Sequence, residues 1–359
     1  MEPKRIIKTL TPYQPGKSIE EVKKEYGLTE IVKLASNENP YGFSTLVEET
    51  LRKDFLSVHQ YPDGYARQLR ERLASHLQVA EHQLIFGSGS DEIVQMICRT
   101  FLTRHDNTVM ATPTFPQYRH HANIEGAEIR EVPLLEGSHN LEEMLAAIDK
   151  QTKVVWLCTP NNPTGGYIQQ EDLFAFIERC PSHVLIVIDE AYFEYVTAED
   201  YPNTIPLLQN YQNIIILRTF SKAYGLAGLR VGYGIGNEQI ISYLNTVRGP
   251  FNTTTVGQLA ATVALKDQMF IRDTCEKNEQ NRRRLEAFCV QKGLSYFPSE
   301  TNFLLIHLPN SGLEVAEQLL QNGFIVRAGE LLGIDKSIRV TVPKDRDVDP
   351  FLEALSKIL

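Results

Sequence analysis

An α/β fold, with a mostly parallel sheet covered by helices on both faces and a smaller α+β unit towards the C-terminal end, is the architecture this sequence predicts. Three observations predict it. Short apolar runs recur at 83–86, 108–111, 154–158, 184–188 and 214–217, the pattern of strands buried on both faces. Helical spacing alternates with them, at 66–77 where Leu69, Leu73 and Leu77 recur, at 90–102 and at 170–179, and such alternation builds a parallel sheet. After Arg248-Gly249-Pro250 the beat changes to a long polar-rich helical region, 256–290, then strands at 302–308, 324–327 and 338–342 around a helix at 313–322.

Residues 1–36 read as an N-terminal arm: Pro12, Pro15 and Gly16 interrupt it, and a charged helical stretch at 18–26 precedes a short strand at 31–34. Asn37-Glu38-Asn39-Pro40-Tyr41-Gly42 is rich in turn formers and reads as a loop. The expected division is therefore an arm at 1–36, a large unit at 37–250 and a small unit at 251–359.

Composition narrows the function. The chain has 359 residues, 42% hydrophobic and 23% charged, and a formal charge of -9, which argues against non-specific nucleic-acid binding. Five cysteines without a Cys-x-x-Cys pair suit free thiols in a reducing cytoplasm. No run approaches the roughly 18 apolar residues of a membrane span, and the opening MEPKRIIKTL lacks a signal peptide's apolar core. Nine histidines show no ligand spacing, and adjacent His120 and His121 would point to opposite faces of a strand. No metal site is expected.

Ligands of open α/β sheets sit outside the carboxyl ends of the strands, so the residues after each apolar run are the candidates. After 214–217 come Thr219, Ser221, Lys222 and Arg230, spaced by Ala223, Gly225, Ala227 and Gly228. Burial disfavours the charged form of an amine and makes Lys222 a candidate nucleophile, able to form a Schiff base with an aldehyde, while Thr219, Ser221 and Arg230 are free to hold an anion. The plain alternative is a surface lysine in a glycine-containing loop.

After 83–86, Gly87-Ser88-Gly89-Ser90-Asp91 enters a helix, where free amides and the helix dipole make an anion cradle. Alternatively Ser90 is simply the helix cap. After 154–158, Asn161-Asn162-Pro163-Thr164-Gly165-Gly166 is either an ordinary turn or a place for the Asn162 amide to donate to a ligand oxygen. After 184–188, Asp189-Glu190-Ala191-Tyr192 puts a carboxylate where it needs a cationic partner, such as a protonated ring nitrogen. Tyr192 is placed to reach a phenolic oxygen of the same ring. A metal-binding aspartate of a nucleotidase competes, but the phosphate loop it requires is incomplete at Gly16-Lys17-Ser18, where Thr11 replaces the first glycine. Taken together the groups fit one ligand, pyridoxal phosphate: Lys222 for the aldehyde, Asp189 for the ring nitrogen, Asn162 and Tyr192 for the phenolic oxygen, and Gly89, Ser90 and Asp91 with Ser221 and Arg230 for the phosphate.

Asn162-Pro163-Thr164-Gly165, Asp189-Glu190-Ala191-Tyr192 and the run from Ser221-Lys222-Ala223-Tyr224-Gly225 to Arg230 resemble the fold-type I pyridoxal-phosphate aminotransferases. More narrowly, Leu34-Ala35-Ser36-Asn37-Glu38-Asn39-Pro40, Tyr61-Pro62-Asp63-Gly64, Gly87-Ser88-Gly89-Ser90-Asp91-Glu92 and the stretch from Leu10 to Gly16 resemble the histidinol-phosphate aminotransferase branch. The resemblance spans nearly the whole chain. It implies a seven-stranded sheet, a homodimer, and amino transfer between histidinol phosphate and 2-oxoglutarate, giving imidazole acetol phosphate and glutamate. It implies that Phe115 stacks on the pyridine ring, that Tyr61 reaches the cofactor phosphate across the dimer, and that Tyr13, Asn37, Arg327 and Arg339 contact substrate. Two departures stand out: Phe115 replaces a frequent tyrosine without loss of a stacking face, and Pro343 replaces a glycine beyond the site. An aromatic-amino-acid aminotransferase or a decarboxylase of a phosphorylated amino acid in the same fold, and a nucleotide-binding module in another class, are the alternatives.

Overall fold

Period-two alternation along the apolar runs determines where the sheet sits. The computed structural model describes residues 1–10, 19–53 and 57–359, and within them the chain runs α1 Ile19–Tyr26, β1 Val32–Lys33, α2 Thr45–Lys53, α3 Arg67–Leu77, β2 Leu84–Gly87, α4 Ser90–Phe101, β3 Asn107–Thr112, α5 Pro116–Glu125, β4 Glu128–Pro133, α6 Leu141–Ala146 and β5 Thr152–Cys158. It continues with α7 Gln170–Arg179, β6 Leu185–Asp189, β7 Ile214–Thr219, β8 Gly232–Gly236, α8 Glu238–Val247, α9 Thr255–Ala264, α10 Gln268–Lys292, β9 Phe303–His307, α11 Gly312–Gln321, β10 Phe324–Ile325, β11 Arg327–Ala328, β12 Ser337–Thr341 and α12 Asp345–Ile358.

Seven strands form one sheet in the order β2-β8-β7-β6-β5-β3-β4. Only β8 runs against the others, pairing antiparallel with β2 and β7. Because successive strand residues face opposite ways, Val155, Leu157, Ile186, Ile188, Ile214 and Ile216 pack on one side with α3, α7 and α9. Val154, Trp156, Leu185, Val187, Ile215 and Leu217 pack on the other with α4, α5 and α8. The fold class and the mostly parallel sheet are as the sequence led us to expect.

A second core gathers Leu304, Ile306, Ile338 and Val340 with Val315 and Leu319 of α11, Phe351 and Leu355 of α12, and Leu285 of α10. Its sheet has the order β11-β12-β9, antiparallel throughout. The N-terminal segment joins this side: β1 pairs with β10, and Val22 of α1 packs with Leu320 and Ile325. The change of sequence character at residue 250 does not coincide with the change of core, because Ala260, Ala261, Val263, Ala264 and Ile271 still belong to the first core.

Several local expectations change. The region 256–290 is two helices, since Leu265 ends α9 and the Asp267 carboxylate starts α10 by accepting from the Phe270 amide. β4 and β8 escaped the apolar-run criterion: β4 is a charged edge strand, and β8 is glycine-rich, Gly232-Tyr233-Gly234-Ile235-Gly236. The glycine at 232 is required, since a Cβ there would collide with the backbone at Ser90 where α4 crosses. His120 and His121 lie on α5, not on a strand. Arg282, Arg283 and Arg284 are each paired with carboxylates. Among the described residues no group of His, Cys, Asp or Glu could hold a metal, and no helix is long and apolar enough to cross a membrane.

Candidate active site

Parallel strands end at a common edge, and here β2, β3, β5, β6 and β7 all deliver their carboxyl ends to one side while β8 begins there. Hence Gly89, Phe115, Asn162, Asp189, Lys222 and Arg230 converge, although 141 positions separate Gly89 from Arg230 (230 − 89).

Asp189 terminates β6 on the face shared with α5, only 3% exposed. The Tyr118 hydroxyl donates to its Oδ2 at 2.5 Å and the Ala191 amide to Oδ1 at 3.2 Å, and among the described residues no cation pairs with it. Burial raises this carboxyl to about 6, and the Tyr118 hydrogen bond acts in the opposite direction. A carboxylate so placed can bind a protonated ring nitrogen. Lys222 lies with Nζ 3.4 Å from the Ser36 carbonyl oxygen and 5.5 Å from the centre of the Tyr192 ring. Loss of solvation lowers its amine to about 8, and the positive charge of Arg339 adds to the effect.

Opposite lies an anion cradle. Gly89, rather than the Ser90 of the alternative reading, occupies the cap position before α4, with φ 80°. Any Cβ at Gly89 would collide with the Arg230 guanidinium. Arg230 donates to Ser221 Oγ at 3.4 Å and to the Ser88 carbonyl at 3.3 Å, and stands 3.8 Å from Asp91 Oδ2. The Ser221 amide donates to Thr219 Oγ1 at 3.1 Å, which orders the turn into Lys222. Glu92 takes up the Ser88 amide at 2.6 Å, leaving the first amides of α4 aimed at the cradle. A guanidinium, a hydroxyl and a helix start suit a phosphate monoester.

The second core contributes Arg339 from β12. Its Nη1 donates to Asn162 Oδ1 at 2.5 Å and its Nη2 to the Ala35 carbonyl at 2.7 Å. Asn37 donates through Nδ2 to the Tyr192 hydroxyl at 2.9 Å, while its amide donates to Thr341 Oγ1 at 3.0 Å. Arg327 is the direct cross-strand neighbour of Arg339 and so shares its face of the small sheet. Tyr61 stands apart, 82% exposed and stacked on Phe251 at 4.7 Å. Tyr13 lies outside the described residues.

Phe115 precedes α5 and meets Tyr118 edge-on, 5.4 Å between centroids. Tyr118 itself escaped the sequence reading. It stacks on Trp156 at 4.6 Å, fully buried. Its spacing from Ala122 marked an inward helix position, but no local pattern named Asp189 as the partner of its hydroxyl.

Residues 29–355 match the family described as aminotransferase class I and II. The histidinol-phosphate aminotransferase of Geobacillus sp. (strain WCH70) is 59% identical over 359 residues, covering 100% of this chain and 98% of that protein. That of Bacillus subtilis (strain 168) is 54% identical, with 100% of both chains covered. Among solved structures, the histidinol-phosphate aminotransferase of Sinorhizobium meliloti in complex with pyridoxal-5'-phosphate superposes with TM-score 0.89 at 27% identity, covering 99% of this chain and 98% of that one. An aspartate aminotransferase from Thermus thermophilus with maleate shares the fold, with TM-score 0.85 at 21% identity and 100% of both chains covered. With a family match over most of its length and relatives above half identity throughout, the chain belongs to the class I and II aminotransferases, in the branch of the histidinol-phosphate aminotransferases.

Proposed function

We propose that this chain is a pyridoxal-phosphate-dependent transaminase that moves an amino group between L-histidinol phosphate and 2-oxoglutarate, in histidine biosynthesis. The observation that carries the reading is Asp189, a buried carboxylate with no cation among the described residues, at the sheet edge that also holds the Lys222 amine and the Arg230 cradle. The donor set fits pyridoxal phosphate part by part. When bound, that cofactor supplies an aldehyde to capture an amine and a protonated ring to accept electrons.

The chain's own residues supply the rest. Arg230, Ser221, Thr219 and the Gly89–Ser90–Asp91 turn hold the phosphate. Asp189 keeps the ring nitrogen protonated, and Tyr118 holds the Asp189 carboxylate in its charged form and fixes its orientation. Asn162 and Tyr192 bind the phenolic oxygen, and Phe115 packs on the ring. Lys222 Nζ accepts and returns the substrate's α-proton, and an amine shifted to about 8 is poised for that work near neutral pH.

Substrate recognition falls to Arg339, with Arg327, Asn37 and Tyr13 beside it. Histidinol phosphate carries a phosphate ester where glutamate has an α-carboxylate, and a guanidinium fork accepts either group. The exposed Tyr61 and Phe251 pair suits a homodimer in which Tyr61 completes the phosphate site across the interface. We place the enzyme in the cytoplasm and assign it no nucleic-acid partner. Because the first core extends into α10, we propose a large cofactor unit reaching about residue 271, a small unit after it, and the N-terminal arm packed on the small one.

Purified protein incubated with pyridoxal phosphate should show a visible band that borohydride bleaches. Steady-state rates should favour histidinol phosphate over phenylalanine; a preference for phenylalanine would instead make this an aromatic aminotransferase, and absence of the band would overturn the cofactor assignment.

A further inference from the structure

Asp189 and Glu190 are consecutive carboxylates that the strand's pleat sends to opposite faces of the sheet. Asp189 meets Tyr118 on the α5 face. Glu190 turns the other way and is fully buried against Arg218, itself 4% exposed, which projects from β7 four residues before Lys222. Arg218 Nε and Nη2 each lie 2.8 Å from Glu190 Oε2. The other oxygen, Oε1, accepts from Thr204 Oγ1 at 2.8 Å. The Tyr201 hydroxyl bridges to the next strand, 2.6 Å from the Thr159 carbonyl and 3.3 Å from Glu190 Oε1. Phe193 closes the cluster, its ring centre 3.5 Å from the guanidinium carbon. Glu194 is the other carboxylate acting on Arg218.

The position of this cluster is informative. Pairing between β6 and β7 ends with Asp189 opposite Leu217, and the Glu190 amide donating to the Leu217 carbonyl at 2.8 Å is the last rung. Asp189 belongs to that last pair, whereas Lys222 lies five residues further along the β7 chain, past the end of the β6–β7 ladder, where β7 is held by β8 through Phe220 and by no further β6 pairing. The buried fork continues the pairing by one further residue, and through Tyr201 and Thr159 it includes the end of β5, which leads to Asn162. Buried ion pairs contribute little to stability compared with apolar side chains of the same volume, and their best-attested use is to specify one arrangement.

We infer that Arg218 and Glu190 are positioning residues for the reaction, fixing the offset between the strand ends that carry Asn162, Asp189 and Lys222 and so the alignment of the carboxylate with the reacting amine. The inference rests on the reading of Asp189 and Lys222 as the groups that hold the cofactor.

The test uses the protein loaded with pyridoxal phosphate and two variants. In the double variant Glu190→Gln with Arg218→Met both charges are removed, so neither is left buried alone. Arg218→Lys keeps the charge but loses the fork. The double variant should shift the pH midpoint of the bound cofactor's visible absorption by at least about half a unit. It should also lower kcat at least about tenfold while KM for histidinol phosphate stays within about twofold, the signature of misalignment after binding. Arg218→Lys should move both quantities in the same direction by less. Parental midpoint and kcat in both variants would overturn the inference, and should the double variant fail to fold, the same two readouts on Arg218→Lys decide alone. Lack of a cofactor band in the parent protein would overturn the cofactor reading instead.

Discussion

The two sheets meet at the site in different ways. The seven-stranded sheet presents Asn162, Asp189, Lys222 and Arg230 from the ends of strands locked into one ladder and backed by buried side chains on both faces. The three-stranded sheet reaches in with Arg339, which touches the seven-stranded unit through Asn162 and the N-terminal segment through the Ala35 carbonyl. On the proposed function, one side is a fixed frame for bond-making groups, and the other is a long cation, hydrogen-bonded to Asn162 and the Ala35 carbonyl, that an incoming anion engages. On that reading the difference separates chemistry from recognition. Loss from the frame should appear in kcat, and loss from the small sheet in KM.

The largest effect tests the frame. Lys222→Ala removes the amine proposed to move the substrate proton, and turnover should fall by at least about 10⁴-fold while the protein still folds. Single-turnover measurements on histidinol phosphate check this, and near-parental turnover would remove Lys222 from the chemistry. Next is Arg339→Ala. A charge-assisted hydrogen-bonded fork contributes about 2–3 kcal/mol, so KM should rise roughly 30- to 150-fold for histidinol phosphate and for glutamate alike. A loss confined to one substrate, or one falling on kcat, would break the division between the two sheets.

The same contrast explains what the sequence made legible. Asp189 follows its apolar run directly and Lys222 comes five residues after the end of its own, so burial against charge was visible within a short stretch of letters. Arg230 became a candidate because it lies in the same short segment, and the structure gives another reason for its place: it leads into β8, whose glycines hid the strand, and so returns the chain to the start of α4. The recognition side has no such local signature. Arg339, Asn162 and Ala35 lie in three distant segments, and only resemblance to a family pointed to Arg339 before the fold brought it to Asn162. Tyr118 and the Arg218–Glu190 pair were missed for a related reason. An apolar-run criterion records that a residue faces inward, whereas their contribution depends on which polar atom it meets across elements.

The smallest effect is thermodynamic and concerns the frame without cofactor. Asp189 titrates at about 6 in the fold against an ordinary 3.8, so between these values the native state binds more protons than the unfolded chain. Stability therefore falls as pH rises through that window, and above about 6 the full penalty of a buried, unpaired carboxylate is present. Two pH units correspond to roughly 3 kcal/mol. Asp189→Asn removes the charge, so the cofactor-free variant should melt about 3 °C higher than the cofactor-free parent at pH 7.5, with the gain vanishing near pH 4. Cofactor should reverse the order, because the parent then gains a cation for its carboxylate and the variant does not. Melting curves at the two pH values, with and without pyridoxal phosphate, measure this directly. A variant no more stable than the parent at pH 7.5 would mean that Tyr118 and the Ala191 amide already compensate the charge, and that the frame carries no stored cost for the ligand to relieve.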